Sequence, residues 1–159
     1  MKKFAFLAAV AAAALMAAPV SAHAQAYVGA GYTQFETDGG DIGAATGRLG
    51  YRFGPNFAIE GEGSTGVDDD EGVDLNHNVG AYARGILPVT SNFDVHGRVG
   101  YTTSEYDTPL GDFEDDGLAY GAGAEYRFTP NLGIRADWTR LEGEDEDADA
   151  ISLGGVLHF

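Results

Sequence analysis

From Ala26 onward the chain alternates apolar and polar residues with a period of two, the repeat of a strand whose successive side chains face opposite sides. In 132–139, Leu132, Ile134, Ala136 and Trp138 fall on one side and Gly133, Arg135, Asp137 and Thr139 on the other. In 93–101, Phe93, Val95, Val99 and Tyr101 oppose Asp94, His96 and Arg98, and the runs 48–53 and 118–128 behave alike. Two kinds of turn punctuate these runs. One is short and carries proline with a nearby asparagine (Gly54-Pro55-Asn56, Pro88 to Asn92, Thr129-Pro130-Asn131), residues that suit the central positions of a tight turn. The other is longer and acidic, near 37–41, 68–74, 105–116 and 143–149. Short and long turns interleave strictly, predicting eight strands at about 26–36, 42–53, 57–67, 75–87, 93–104, 117–128, 132–142 and 150–159. Each is close to the ~9–11 residues of a tilted membrane strand.

An internal repeat supports a chain of hairpins. Tyr51-Arg52-Phe53-Gly54-Pro55-Asn56-Phe57-Ala58-Ile59 returns as Tyr126-Arg127-Phe128-Thr129-Pro130-Asn131-Leu132-Gly133-Ile134, with a looser copy around Pro88 to Asn92. Such units at one end of successive hairpins predict an all-β, eight-stranded antiparallel up-and-down barrel. A soluble barrel would put its large apolar side chains inside. Here the apolar face carries aromatics at both ends and small aliphatics between. Tyr51, Phe53, Phe57, Phe93, Tyr126, Phe128 and Phe159 lie by the short turns, and Tyr32, Tyr101, Tyr120 and Trp138 lie toward the long loops. Two aromatic girdles around an apolar band mark a lipid-facing surface, so the barrel is predicted to be transmembrane.

The first residues add a route to that membrane. Lys2 and Lys3 precede an apolar run from Phe4 to Ala18, and Ala22-His23-Ala24 has the small-x-small pattern of a cleavage site. Residues 1–24 are expected to be a signal peptide, leaving 25–159 as one barrel domain. The run is shorter than the ~20 residues of a membrane helix. There is no cysteine, which excludes a disulfide framework.

Charge sharpens the picture. Both lysines lie in 1–24, and without them the formal charge moves from −16 to −18. So acidic a chain, with no basic stripe, excludes nucleic acid as a partner. Of the 25 acids, five take the polar face of strands: Glu60, Glu62, Asp94, Glu125 and Asp137. The other twenty fall in or beside the long loops. Six of the seven arginines, Arg48, Arg52, Arg84, Arg98, Arg127 and Arg135, share that polar face. Charge inside a narrow barrel is costly unless paired, so these eleven residues predict an interior ion-pair network. Inward glycines (Gly29, Gly31, Gly80, Gly100, Gly121, Gly123) are expected to make room for the guanidinium groups. Eight strands leave a lumen that side chains can fill.

The signal peptide, eight strands, turn repeats and terminal Ile151-x-Leu153-x-Gly155-x-Leu157-x-Phe159 together resemble the small OmpA/OmpX-like, opacity-like outer-membrane barrels. The resemblance covers 25–159. It implies a Gram-negative outer membrane, short turns in the periplasm, long loops outside, and Phe159 as a signal read by the barrel assembly machinery. Leu157 stands where that family more often has an aromatic. The cell-wall tethering of its longer members, which rests on a peptidoglycan-binding domain, is not expected to carry over.

Catalytic chemistry finds little footing. His77 and Ser64 lie high on neighbouring strands, but parity turns His77 toward lipid and Ser64 inward, so they do not form a nucleophile and base. His96 and His158 fall among the interior charges, and Arg140 lies at the outer rim, where a lipid phosphate is one expected contact. Asp112-x-Glu114-x-Asp116-Gly117 resembles the start of a calcium loop, yet its twelfth position is Gly123, which cannot be the bidentate ligand. Asp68, Asp69 and Asp70, with Asp112, Glu114 and Asp116 and with Glu144, Asp145, Glu146 and Asp147, remain weak divalent-cation candidates. The sequence therefore predicts a monomeric, cofactor-free, non-enzymatic barrel with a structural or surface-interaction role. Its expected partners are outer-membrane lipid, lipopolysaccharide, the assembly machinery, divalent cations and cationic surfaces. A narrow ion-conducting porin and a small surface enzyme are the competing readings.

Overall fold

The computed structural model describes residues 24–37, 40–67, 74–108, 111–143 and 147–159. The expected signal peptide lies outside the described residues, apart from Ala24, where the first strand begins. Eight strands follow: β1 (Ala24–Thr37), β2 (Gly40–Phe53), β3 (Phe57–Gly66), β4 (Asp74–Pro88), β5 (Phe93–Thr108), β6 (Gly111–Arg127), β7 (Leu132–Glu142) and β8 (Asp147–His158). Each pairs antiparallel with its neighbours in chain order, and β8 returns to β1 to close the barrel. Closure leaves no edge within the barrel wall, the condition for crossing hydrocarbon with strands.

The alternating pattern sets the faces. Along β7, Leu132, Ile134, Ala136 and Trp138 are exposed while Gly133, Arg135, Asp137 and Thr139 are buried. The largest departure from the sequence expectation is the acidic stretch 105–116. Glu105 to Thr108 extends β5 and Gly111 to Asp116 extends β6, with Tyr106 opposite Phe113 in register. Asp112, Glu114 and Asp116 therefore belong to a strand. Acids are poor strand formers, but Thr, Tyr and Phe are good ones, and the latter prevail in this hairpin.

The short turns are tied by one repeated device. Asn56, Asn92 and Asn131 each accept, at the backbone carbonyl, the N–H of a residue at the end of the next hairpin: Ile86, Arg127 and His158, at 2.8, 2.8 and 2.7 Å. Each side-chain amide then donates to that residue's carbonyl, at 3.0, 3.0 and 2.8 Å. The asparagine of each turn thus clamps one hairpin to the next. Gly54 supplies the positive φ (80°) that the first turn needs.

Candidate functional site

The lumen is filled in layers, which follow from inward positions along the strands. Nearest the short turns, Arg52 (3.1 Å) and Arg127 (3.0 Å) share the Asp94 carboxylate, and His158 donates to Glu125 at 2.8 Å. Arg52 also donates to the carbonyls of Gly54 and Pro55, fastening the first turn to the lumen. One layer up, Glu60 accepts from Arg135 at 2.6 and 3.1 Å and from the Tyr27 hydroxyl at 2.7 Å, with Arg84 at 3.5 Å. Asp137 accepts from Arg48 (2.6 Å), Arg135 (2.9 and 3.0 Å) and His96 (2.6 Å). Glu62 joins Arg48 to Arg98 at 3.1 Å each, and the Arg98 guanidinium lies 3.5 Å from the centre of the Tyr82 ring. The structure thus brings Arg48, Arg52, Glu60, Glu62, Arg84, Asp94, Arg98, Glu125, Arg127, Arg135 and Asp137 together in the lumen. Arginine suits this role because its planar fork serves two carboxylates at once.

The chemistry changes toward the long loops. Thr33, Thr46 and Ser64 form a hydroxyl ladder across β1, β2 and β3, at 2.6 and 2.8 Å. Asn78, Thr102, Thr139 and Ser152 are buried as well. Beyond them Phe35, Ala44 and Ala150 pack into an apolar cap with Ile42 and Leu141. Neither the ladder nor the cap was expected from sequence. Phe35, Ile42 and Leu141 stand at strand ends, where an apolar residue of inward parity looks like the start of a loop.

One expectation about packing needs correction. Among the inward glycines, a Cβ at Gly29 would meet the Arg48 side chain, but at Gly80 and Gly100 it would meet the Tyr82 ring. At Gly121 it would meet strand backbone, and at Gly123 the Asp137–His96 pair as well. These glycines make room for rings and backbone more than for guanidinium groups. Gly50 does the same for Tyr27.

Compared with known families, residues 5–159 match the model of the outer membrane protein beta-barrel domain. The chain belongs to this outer-membrane β-barrel family. Its fold is similar to that of Ail, the attachment invasion locus protein of Yersinia pestis, solved with the heparin analogue sucrose octasulfate (18% identity, 86% of this chain and 99% of Ail, TM-score 0.64). It is also similar to the N-terminal β-barrel domain of Pseudomonas aeruginosa OprF (16% identity, 85% and 97%, TM-score 0.68). Neisserial surface protein A is a third such fold (16% identity, 86% and 97%, TM-score 0.56). Comparison with curated protein sequences gives no match. The family sets the chain in the Gram-negative outer membrane.

In an outer-membrane barrel the outward face meets lipid, and here it carries the aromatics. Phe53, Phe57, Tyr126 and Phe128 stand exposed by the short turns, and Tyr32, Tyr101, Tyr120 and Trp138 toward the loops; Phe93 is half-buried. Tyr51 departs from the expected girdle. It has outward parity but is only 7% exposed, packed edge-on to Phe53 with ring centres 4.8 Å apart. Phe159 is exposed beyond the end of β8, and its N–H donates to Ala26 at 2.9 Å.

The outer rim differs from expectation in one detail. Arg140 holds Asp149 and Asp147 at 2.9 Å each, so its guanidinium is already engaged by protein carboxylates. Asp147 is the first residue of β8. Asp68, Asp69, Asp70, Glu144, Asp145 and Glu146 lie outside the described residues. Among the described residues no three candidate ligands gather as a metal centre. Ser64 is Asn78's register partner and its hydroxyl meets Thr46, while His77 sits one residue along on the other face. The structure does not bring Ser64 and His77 together.

Proposed function

We propose that this chain is a non-conducting, non-enzymatic surface protein of the outer membrane, acting through the acidic end formed by its long loops. The observation that carries the reading is the filled lumen: an ion network, a hydroxyl ladder and an apolar cap succeed one another along its length. With the lumen spent on structure, the surface left for recognition is the loop end. Twenty acids lie in or beside those loops, with Arg140 the one arginine at the rim. Such a field attracts divalent cations, cationic peptides and basic protein surfaces, and lets divalent ions bridge the loops to lipopolysaccharide phosphates. Ail was solved with a polysulfated ligand. The acidic loops here carry the same sign of charge as such a ligand, which favours cationic partners over polyanions.

The reading extends to the ends of the chain: residues 1–24 direct export, Phe159 is read during assembly, and the barrel acts as a monomer. To test the recognition role, Asp68, Asp69, Asp70, Glu144, Asp145, Glu146 and Asp147 are changed to Asn or Gln. Binding of calcium and of a cationic peptide is then measured at low and moderate salt. The variant should bind both more weakly, with a flatter salt dependence, since screening acts beyond ~8 Å at physiological ionic strength. Unchanged binding would leave the barrel a structural role alone.

A further inference from the structure

The lipid-facing wall is not uniform. On the outer side of β4, β5 and β6 a trough of about 710 Å³ is lined by Gly85, Leu87, Val95, Gly97, Ala122 and Ala124, with Asn56 at its turn end. One register row crosses it: Phe57, Gly85, Gly97, Ala122 and Trp138 are successive partners from β3 to β7. Large aromatics flank a floor of two glycines and an alanine. The fold does not require those glycines. Gly54 is the one described glycine with positive φ, a Cβ at Gly85 would meet nothing within 4 Å, and at Gly97 it would meet only the Gly121 carbonyl at 3.8 Å. Glycine weakens a strand, and here two that are needed neither for conformation nor for interior space stand side by side in register on the trough's floor, leaving room for close approach from outside.

We propose that this trough seats one acyl chain of a phospholipid from the leaflet beside the short turns. The trough is continuous with the aromatic-bounded band that meets hydrocarbon. Gly85 lies three residues before Pro88, which ends β4, and Gly97 four after Phe93, which opens β5, so the floor lies in the half of the wall nearer the short turns. An unfilled concavity forfeits dispersion contacts along its whole lining. A flexible chain follows the floor between Phe57 and Trp138, whereas the convex wall of a second barrel meets only its edges. The proposal rests on membrane embedding and is independent of what the acidic loops bind.

Trp138 is the sole tryptophan and the register partner of Ala122 on the trough's floor, so it reports occupancy. The mature chain is refolded into phosphatidylethanolamine–phosphatidylglycerol nanodiscs containing a small fraction of phospholipid brominated on its acyl chains. In parallel, the protein is extracted in mild detergent and its retained phospholipid counted by native mass spectrometry. Gly97→Leu and Ala122→Leu fill the trough from two strands. Gly47→Leu, on exposed β2 wall where a Cβ also meets nothing, is the control. Heat-modifiable gel mobility shows which variants have folded. The wild type and Gly47→Leu should retain one phospholipid and show Trp138 quenching above random lipid contact. Either folded trough variant should lose most of that retention and several-fold of the excess quenching. Equal retention in trough and control variants overturns the proposal, as does a wild type that keeps no phospholipid and shows only random quenching. Efficient Gly97→Cys crosslinking between copies would also overturn it, by making the trough an interface between barrels.

Discussion

Toward the short turns the lumen is bridged by long charged side chains, and toward the long loops by short hydroxyls and then apolar groups. The bonds differ in reach. Arg135 on β7 meets Glu60 on β3, directly across the barrel, while Arg48–Asp137, Arg84–Tyr27 and Arg52–Asp94 join strands three apart. In the hydroxyl ladder, Thr33, Thr46 and Ser64 join only strands already paired through their backbones. One half is braced across its diameter, and the other is stitched along its wall and stoppered by Phe35. Cross-lumen ties fix the barrel's cross-section. Wall ties add stability without fixing it. The charged half should therefore respond far more sharply to substitution than the hydroxyl half.

The largest effect is expected at Glu60. Glu60→Ala leaves Arg135 and Arg84 without their shared acceptor, and an uncompensated buried charge costs about 3–5 kcal/mol. The urea midpoint of refolding in detergent or vesicles reads this directly. Adding Arg135→Leu to Glu60→Leu should recover much of the loss, because removing both partners of a buried pair is often close to neutral. If the single variant refolds like the wild type, the charged half is wet and screened, and the contrast between the halves fails. Next is Phe35→Ala, which unstoppers the loop end. Truncating a buried phenylalanine costs about 3 kcal/mol or more. The same refolding titration reads it, and the outermost residues of β1 and β8 should exchange amide hydrogens faster.

Thr46→Val should cost less, about 1 kcal/mol, since it removes hydroxyl contacts to Thr33 and Ser64 while the backbone ladder remains. A loss as large as that at Glu60 would show that the ladder braces the barrel too. Arg140→Ala should be the mildest. Its bonds to Asp147 and Asp149 lie at the exposed rim, where ion pairs contribute little, and the refolding midpoint should not move measurably. Its expected signature is stronger calcium binding at the loop end, measured by calorimetry, as two carboxylates lose their cation.

These halves were unequally legible in the sequence. β7 is the strand that alternation marked most clearly, because 132–139 alternates without a break and a proline turn sets its start. The ion-bearing strand positions also follow from parity, since arginine and acid stand out on the inward side of otherwise apolar strands. Which arginine meets which acid does not follow, because Glu60 and Arg135 are brought together only by barrel closure. The apolar cap was hidden because Phe35 and Ile42 flank a turn and match no lumen of charges. Tyr51 was misplaced because parity gives a side chain's face and not what lies over it. In 105–116 the acids masked strand residues such as Tyr106 and Phe113. Outside the hydrocarbon water solvates such charges, so a strand can run on where composition suggests a loop.

We infer that cross-lumen ion pairs, hydroxyls and an apolar cap close this barrel to ions. Planar-bilayer recording on refolded residues 25–159 tests it most directly, with heat-modifiable mobility showing that the inserted protein is folded. Wild-type protein should give no stable single-channel steps at either polarity, while Glu60→Ala combined with Phe35→Ala should give frequent, noisy openings. Regular ohmic steps from the folded wild type would contradict the account and establish the lumen as a conducting path.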